Sequence, residues 1–460
     1  MRSWFWQVTD TLVGMSKIFV GPRLRALRAD RGISQVSLAE MLEISPSYLN
    51  QIEHNQRPLT VPVLLRLTEL FGLDPEFFSP EDGTRLVADL REALPRASAT
   101  EIADLAAMSP KIAHAVVDLH RRQQRSAEHA AVLAGAHQSA PAPYEMVRDF
   151  FYDRHNYIDA LDRAAEDLNG GHDPAATAEE RLALHGVRVT TSSGARRHYD
   201  PQTKILSVSP ELSDAQRTFQ LATQIALLEH ADLLAELIDT ATFTDEHARA
   251  LTRIGLANYF AGAFLLPYRP FREAAERARY DLEALGTRFD VSFETVCHRL
   301  STLQRPRARG VPFSFVRVDR AGNISKRQSA TGFHFTRAGG SCPLWAVYEA
   351  FSTLGDLHTQ VAEMPDGRRY FWVARTIRHR PRRHGKPGRV FSIGLGCELR
   401  HAHRLVYTDG LDLTRPATTP IGLGCKVCER TDCAQRAFPP TGGNLHVDPH
   451  LSTLTPYSPT

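Results

Sequence analysis

Cysteine is scarce in this 460-residue chain: six in all, four of them between Cys397 and Cys433. So few thiols exclude a disulfide-stapled scaffold. Their clustering, in a chain with no export signal, favours a metal or cluster site instead. Charge of one sign is lacking too. Lys+Arg at 55 against Asp+Glu at 52 leaves +3, which excludes a polybasic whole chain and confines any nucleic-acid contact to a local patch. Long hydrophobic runs are absent. The most apolar stretch, Leu256 to Pro267, contains Asn258 and falls well short of the ~20 residues that span a bilayer. The aromatic opening from Met1 to Trp6 is followed by Asp10 and no small-residue cleavage site, so it does not read as a signal peptide. Met15 offers a natural second start. What is present is 42% hydrophobic and 23% charged residues, the balance of a soluble protein with real cores. At about 150 residues per domain the length suggests roughly three domains. These features predict a cytoplasmic multidomain protein with no membrane partner.

The pattern predicts a mainly α chain with a β-containing C-terminal third. Residues 17–80 form a helical block: Phe19 to Arg31, then Gln35 to Leu42 capped by Ser34, then a helix opening at Ser45-Pro46, then Val61 to Phe71. Residues 81–143 read as a helical connector ending in the linker 134–143. Residues 144–305 are again mostly helical, with one strand pair near Val187–Thr191 and Ile205–Val208. Residues 306–446 read as a β-rich domain with strands at 313–318, 323–329, 360–364, 369–377 and 389–393, and 447–460 as a tail.

In the first block, Ala39 is small where two helices cross, and Leu38, Leu49 and Ile52 fill the angle between them. The second of these helices then offers Ser45, Ser47, Tyr48, Asn50 and Gln51 near its N-terminus, the end that enters a major groove in such motifs. Gln35 opens the preceding helix, where backbone N–H groups can face a phosphate. The bland alternative is a helical bundle whose polar face meets water. Gln35, Leu38-Ala39, Ile44-Ser45, Tyr48-Leu49, Ile52-Glu53 and Arg57-Pro58 resemble the XRE, lambda-repressor-like, helix-turn-helix family. The resemblance implies binding to double-stranded operator DNA.

The middle region, with Arg217 to Leu227 and Leu256 to Pro267, is similar to the ImmA/IrrE metallopeptidase-like family. A zincin needs His-Glu-x-x-His on one helix. Here the corresponding positions are Thr223, Gln224 and Leu227, and nothing between Ile254 and Leu256 is acidic. Hydrolysis is therefore not supported, and the frame reads as a ligand-sensing domain. Arg197, Lys204, Asn258, Tyr259 and Tyr268 are its candidate ligand contacts. The alternative is that these helices only fill a core or mediate dimer contacts.

Cys425-x-x-Cys428-x-x-x-x-Cys433 lets neighbouring thiolates turn onto one metal or cluster. Cys397, in a Gly-Cys segment read as a turn, completes four, and Cys342 in Gly-Gly-Ser-Cys-Pro is a rival. A [4Fe–4S] cluster, a four-thiolate zinc and metal-free thiols all remain open. Cys297 reads as a lone thiol. The basic run from Arg375 to Arg389 reads as a solvated hairpin loop or a phosphate contact.

Taken together, Cys297 to Pro306, Val316 to Lys326, Cys342-Pro-Leu-Trp345 and the cysteine set resemble the short-chain acyl-CoA-responsive regulators of the PrpR and RamB type. That resemblance implies control of propionate, methylcitrate or glyoxylate genes, an acyl-CoA effector such as propionyl-CoA, and an iron–sulfur cluster. Symmetry of such DNA readers points to a homodimer. The rivals are a redox regulator switched by the cluster alone and, disfavoured by its missing ligands, a metallopeptidase.

Overall fold

The computed structural model describes residues 21–54, 56–71, 80–94, 97–110, 112–120, 143–243, 245–331, 333, 341–379, 388–422, 424–425, 428, 430–439 and 450. The second start at Met15, nearly all of the linker 134–143, most of the basic loop and nearly all of the tail lie outside the described residues. The chain divides into two compact units, Met1–Glu128 and His129–Thr460.

In the first unit, α1 (Gly21–Asp30), α2 (Gln35–Met41), α3 (Pro46–Glu53) and α4 (Val61–Phe71) follow the sequence pattern. Ser34 caps α2 by accepting from the Ser37 N–H, and Ser45 caps α3 by accepting from the Tyr48 N–H. Leu24, Leu38, Ala39, Leu42, Leu49, Ile52 and Leu67 are fully buried between the four helices. A second small core joins α5 (Pro80–Ala93), α6 (Ala99–Met108) and the helical residues 112–120 through Leu86, Leu90, Ile102, Ala113 and Val117. A reciprocal Ser98–Glu101 capping box starts α6.

The second unit opens with α7 (Pro143–Asp153), α8 (Asp159–Asn169) and α9 (Pro174–Leu184). A small sheet follows: β1 (Arg188–Thr191), β2 (Arg197–Asp200) and β3 (Ile205–Val208). The expected strand pair is present and parallel, with β2 antiparallel on the far side of β3. Then come α10 (Asp214–Glu229), α11 (Ala231–Asp239), α12 (Glu246–Leu265), α13 (Tyr268–Arg277), α14 (Leu282–Phe289) and α15 (Phe293–Leu300). Helix α12 runs centrally and packs against α7, α8, α10 and α11, so Leu256, Ala257, Phe260, Ala261, Ala263 and Phe264 are all buried. Among the described residues no helix is long and apolar enough to cross a membrane.

The C-terminal strands are β4 (Ser314–Val318), β5 (Ile324–Ser329), β6 (Leu357–Glu363), β7 (Arg369–His379), β8 (Arg389–Glu398) and β9 (Thr419–Pro420). They order as β5-β4-β8-β7-β6-β9, antiparallel except for β6 with β9. Successive strand side chains face opposite sides. Phe315, Val361, Phe371, Val373, Ile393, Leu395 and Cys397 fall in the same core as the helices. Val316, Val318, Ala362, Tyr370, Trp372 and Ala374 fall in a second core, closed by Cys342, Trp345 and the short helix α16 (Ala346–Glu349). A boundary at 305/306 thus separates two kinds of element but not two cores.

Strand β8 corrects the turn expected before Cys397, because Gly394 and Gly396 lie inside it. Their bareness serves packing. A Cβ on Gly396 would fall 2.5 Å from the Trp372 ring, and one on Gly394 would fall 2.5 Å from Val347. A Gly396→Ala substitution is expected to overpack this face and cost about 1–3 kcal/mol. The readout is the thermal midpoint followed by tryptophan emission, and an unchanged midpoint would mean the ring moves freely.

Candidate functional site

The Ser45 cap and Pro46 at the first helical position fix where α3 starts. Ser45, Ser47 and Asn50 are then exposed, while Tyr48 and Gln51 are half-buried. Gln35 Nε2 donates to Asn50 Oδ1 at 3.2 Å and to Glu53 Oε2 at 2.9 Å, joining the start of α2 to the reading helix. Arg57 lies 5.6 Å over the Tyr48 ring. Glu53, missed as a functional residue, organises this face. It is only 1% exposed, and its carboxylate takes Arg28 Nε at 2.7 Å and Nη2 at 3.2 Å besides Gln35. That pairing holds the Arg28 guanidinium above its ordinary range. A Glu53→Ala variant is expected to lose about 1.5–3 kcal/mol of stability, as expected for hydrogen bonds to a charged group. It should weaken operator binding beyond the fraction unfolded, because Gln35, which donates to Asn50, loses its own anchor on Glu53. Denaturation alongside a DNA-binding titration checks both.

In the middle region the zinc positions are filled by side chains that cannot ligate. The Thr223 hydroxyl donates to the Phe219 carbonyl at 2.7 Å, Gln224 is buried, Ile254 is exposed and Leu256 is in the core. The five ligand candidates are not gathered as expected. Asn258 is exposed on α12, and exposed Lys204 donates to the His185 carbonyl at 3.2 Å. Arg197 is on β2, half-buried, with Nη1 enclosed and without a hydrogen-bond partner among the described residues; burial lowers its pKa.

Only Tyr259 and Tyr268 are drawn together, and both hydroxyls are already committed. Tyr259 Oη donates to Asp162 Oδ2 at 2.6 Å and accepts from the Ile158 N–H; Tyr268 Oη donates to the Ala308 carbonyl and accepts from the Arg305 N–H. They belong to a buried polar network that composition does not announce. Arg299, 3% exposed, grips the fully buried Asp162 through Nη1 at 3.0 Å and Nη2 at 2.7 Å, and its Nε donates to the Leu266 carbonyl. Arg305 reaches Glu166 at 2.6 Å and Tyr157 Oη at 2.8 Å, and lies 4.2 Å over the Tyr268 ring. Burial pushes Tyr268 up to about 12. The available signal was the i, i+4 pair Asp162/Glu166 facing two arginines within the 297–306 stretch.

At the C-terminus, Cys342, Cys425, Cys428 and Cys433 line one cavity, with Arg430 and Arg436 beside them. Cys397 is not among its walls. It is fully buried on the opposite face of β8, beside Leu395 and Phe371 in the helical core, and burial raises its thiol far above the ordinary range. The rival Cys342 therefore replaces Cys397 in the gathered set. Cys297 is likewise a lone, fully buried core thiol.

Around the cavity the backbone comes close to sulfur. A Cβ on Gly422 would sit 2.4 Å from Cys428 Sγ, so only glycine fits there. Burial pushes the Cys342 thiol up, opposed by backbone hydrogen bonds from Gly422 and Leu344. Burial likewise raises Cys428, opposed by the Arg430 N–H and the Arg436 charge. Cys425 Sγ accepts from the Ala437 N–H at 3.5 Å. Among the described residues no three His, Cys, Asp or Glu side chains form a ready metal-ligating group, so the thiols share a cavity rather than a finished coordination shell. Four sulfur donors with amide N–H groups aimed at them are nonetheless the donor chemistry that suits iron–sulfur clusters or zinc.

Three family models match successive stretches: Helix-turn-helix over 24–78, IrrE N-terminal-like domain over 183–301, and Short-chain fatty acyl coenzyme A regulator, C-terminal, over 302–457. The HTH-type transcriptional regulator RamB of Mycobacterium tuberculosis strain H37Rv is 53% identical, across 96% of this chain and 99% of that one. The chain belongs to the RamB and PrpR family of transcriptional regulators. The HTH-type transcriptional regulator PrpR of the same strain is 50% identical, across 97% of this chain and 96% of its own. A propionyl-CoA carboxylase regulator from Cereibacter sphaeroides is 45% identical across 96% and 98%. A solved structure, described as a Mycobacterium tuberculosis transcriptional regulator, matches with a TM-score of 0.67 at 53% identity, covering 69% of this chain and all of that one. Its relatives are named as transcriptional regulators and it carries their helix-turn-helix, so the protein is a regulator of that family.

Proposed function

We propose that this regulator acts in the cytoplasm as a homodimer on operator DNA of propionate, methylcitrate or glyoxylate genes, and that a short-chain acyl-CoA such as propionyl-CoA is its effector. We propose further that its C-terminal cavity carries a metal centre, [4Fe–4S] in the first instance and zinc as the alternative. The observation that carries the metal reading is the meeting of four thiols, from two separate stretches of chain, at one cavity. The effector reading is supported by the regulator family matched over 302–457 and by the relative named for propionyl-CoA carboxylase. An enclosed cationic nitrogen with no hydrogen-bond partner among the described residues, as on Arg197, suits an anionic ligand.

The chain's own residues supply the rest. Ser45, Ser47 and Asn50 face outward to read bases, and Gln35 steadies Asn50. Cys342, Cys425, Cys428 and Cys433 would hold the metal centre, which when bound would cross-link the 342 segment to the 425–433 loop and, if iron–sulfur, supply a redox centre. An effector shifts DNA affinity only if it binds one arrangement of the dimer better than another.

The test is to purify the protein anaerobically, assay iron, sulfide and zinc, and titrate propionyl-CoA into the operator complex at fixed oxidation state. About four irons and four sulfides per chain, with operator affinity changing by roughly 5- to 150-fold, are expected. One zinc and no colour would make the C-terminal centre structural. Operator affinity indifferent to acyl-CoA but dependent on oxidation state would overturn the effector reading in favour of a redox regulator.

A further inference from the structure

Arg436 is a buried cation, 4% exposed, in the wall of the cysteine cavity. Its Nη1 donates to the carbonyls of Cys425 at 3.0 Å and Phe438 at 3.3 Å, and its Nη2 to that of Cys428 at 2.9 Å and to that of Arg430. All four carbonyls belong to the loop that carries three of the four thiols. Among the described residues no carboxylate pairs with this guanidinium, and its Nε is enclosed without a hydrogen-bond partner. A buried charge with an unspent donor is costly unless something anionic meets it. Carbonyl dipoles orient the guanidinium but do not cancel its charge.

Sulfur supplies the missing partner. Four thiolates around a dication carry a net charge of about −2, and hydrogen bonds to ligand sulfurs stabilise such centres and set their potentials. Arg430 works nearby in a related way. Its Nε donates to the Ile421 carbonyl and its Nη2 to the Glu363 carbonyl at 2.6 Å, tying the loop to the end of β6. Arg430 thus spends these donors on anchorage, whereas Arg436 keeps one in reserve at the cavity.

We propose that Arg436 is the positioning residue of the C-terminal metal centre: its four carbonyl bonds shape the loop from Cys425 to Phe438, and its Nε–H is kept for a ligand sulfur. The inference rests on the metal reading of the cavity. It distinguishes this arginine from a mere loop fastener, because a fastener need not alter the electronic properties of the bound centre.

The experiment compares full-length wild type with Arg436→Gln and Arg436→Lys, all loaded anaerobically. Metal release to a chelator is followed with time, as is the reduction midpoint of the iron-loaded protein; if wild type carries zinc, the sulfur-to-metal absorption band of the cobalt-substituted protein replaces the midpoint. Circular dichroism reports folding. Arg436→Gln is expected to release metal about 10- to 100-fold faster and to show a more negative midpoint or a shifted absorption band. Arg436→Lys keeps the charge but lacks the Nε donor, and is expected to show the same two changes in weaker form. Should the glutamine variant not fold, the lysine variant decides alone. Release and midpoint or band both unchanged in a folded variant would overturn the proposal, as would faster release with an unaltered midpoint or band, which marks a purely structural clasp. Wild type that retains neither iron nor zinc would overturn the metal reading itself, and that outcome is visible before any variant is made.

Discussion

A Cys342→Ser variant is expected to leave anaerobic purification with little of the wild-type metal, and a Cys397→Ala variant with all of it. Spacing along the chain favours Cys397, because it ends a Gly-rich segment repeated before Cys425. The fold reverses that preference through strand parity. Ile393, Leu395 and Cys397 alternate on one face of β8, toward the helices, while Gly394 and Gly396 face Trp372 and the second core. Cys342 sits on that second side and lines the cavity with Cys425, Cys428 and Cys433. Serine at 342 keeps the volume but loses the soft thiolate, and a three-thiolate set leaves one cluster iron, or one position of a closed zinc site, without its protein sulfur and holds the metal less tightly. Alanine at 397 removes one sulfur from a packed core, where large-to-small changes cost stability without touching the cavity. Metal analysis with a thermal melt separates the two effects. Metal lost from Cys397→Ala and retained in Cys342→Ser would show that the sheet rearranges to bring residue 397 to the site.

The same strand shows what a sequence can and cannot disclose. The helix-turn-helix was legible because its signals are local: Ser34, Ser45-Pro46 and a 3.6-residue apolar rhythm are read within one turn of where they act. Glu53 is legible as a position of the helix-turn-helix pattern but its role is not, because its partner Arg28 lies 25 residues away and nothing in either neighbourhood announces the pairing. The C-terminal strands were legible from alternating β-branched and aromatic residues, but β8 continues to Glu398 where glycines suggested a turn. Glycine weakens a strand locally; here the missing side chains admit Trp372. In the middle region functional group alone nominates the ligand candidates. Burial decides otherwise for Tyr259 and Tyr268, because an enclosed hydroxyl without a partner is costly, and theirs lie on α8 and beyond α15.

Those partners carry the other large effect. An Asp162→Ala variant is expected to destabilise the second unit by about 3–5 kcal/mol, since removing one member of a buried ion pair leaves the other charge uncompensated. Asp162 is fully buried and serves Arg299 twice and Tyr259 once, so its loss orphans a guanidinium and a hydroxyl together. Against a typical domain stability of about 5–15 kcal/mol, that is a large share. The double variant Asp162→Leu with Arg299→Met should recover much of it, because apolar replacement of a whole buried pair is often neutral or better. Urea denaturation read by tryptophan emission suits the measurement, as Trp345 and Trp372 are both buried in the second unit. The comparison also bears on sensing. If the single variant unfolds early and the double variant does not, Tyr259 and Tyr268 are held by a scaffold pair, and an anionic effector must draw on other cations, Arg197 foremost. If the single variant is as stable as wild type, the pair is not a scaffold, and Arg299 becomes a cation that an effector can recruit.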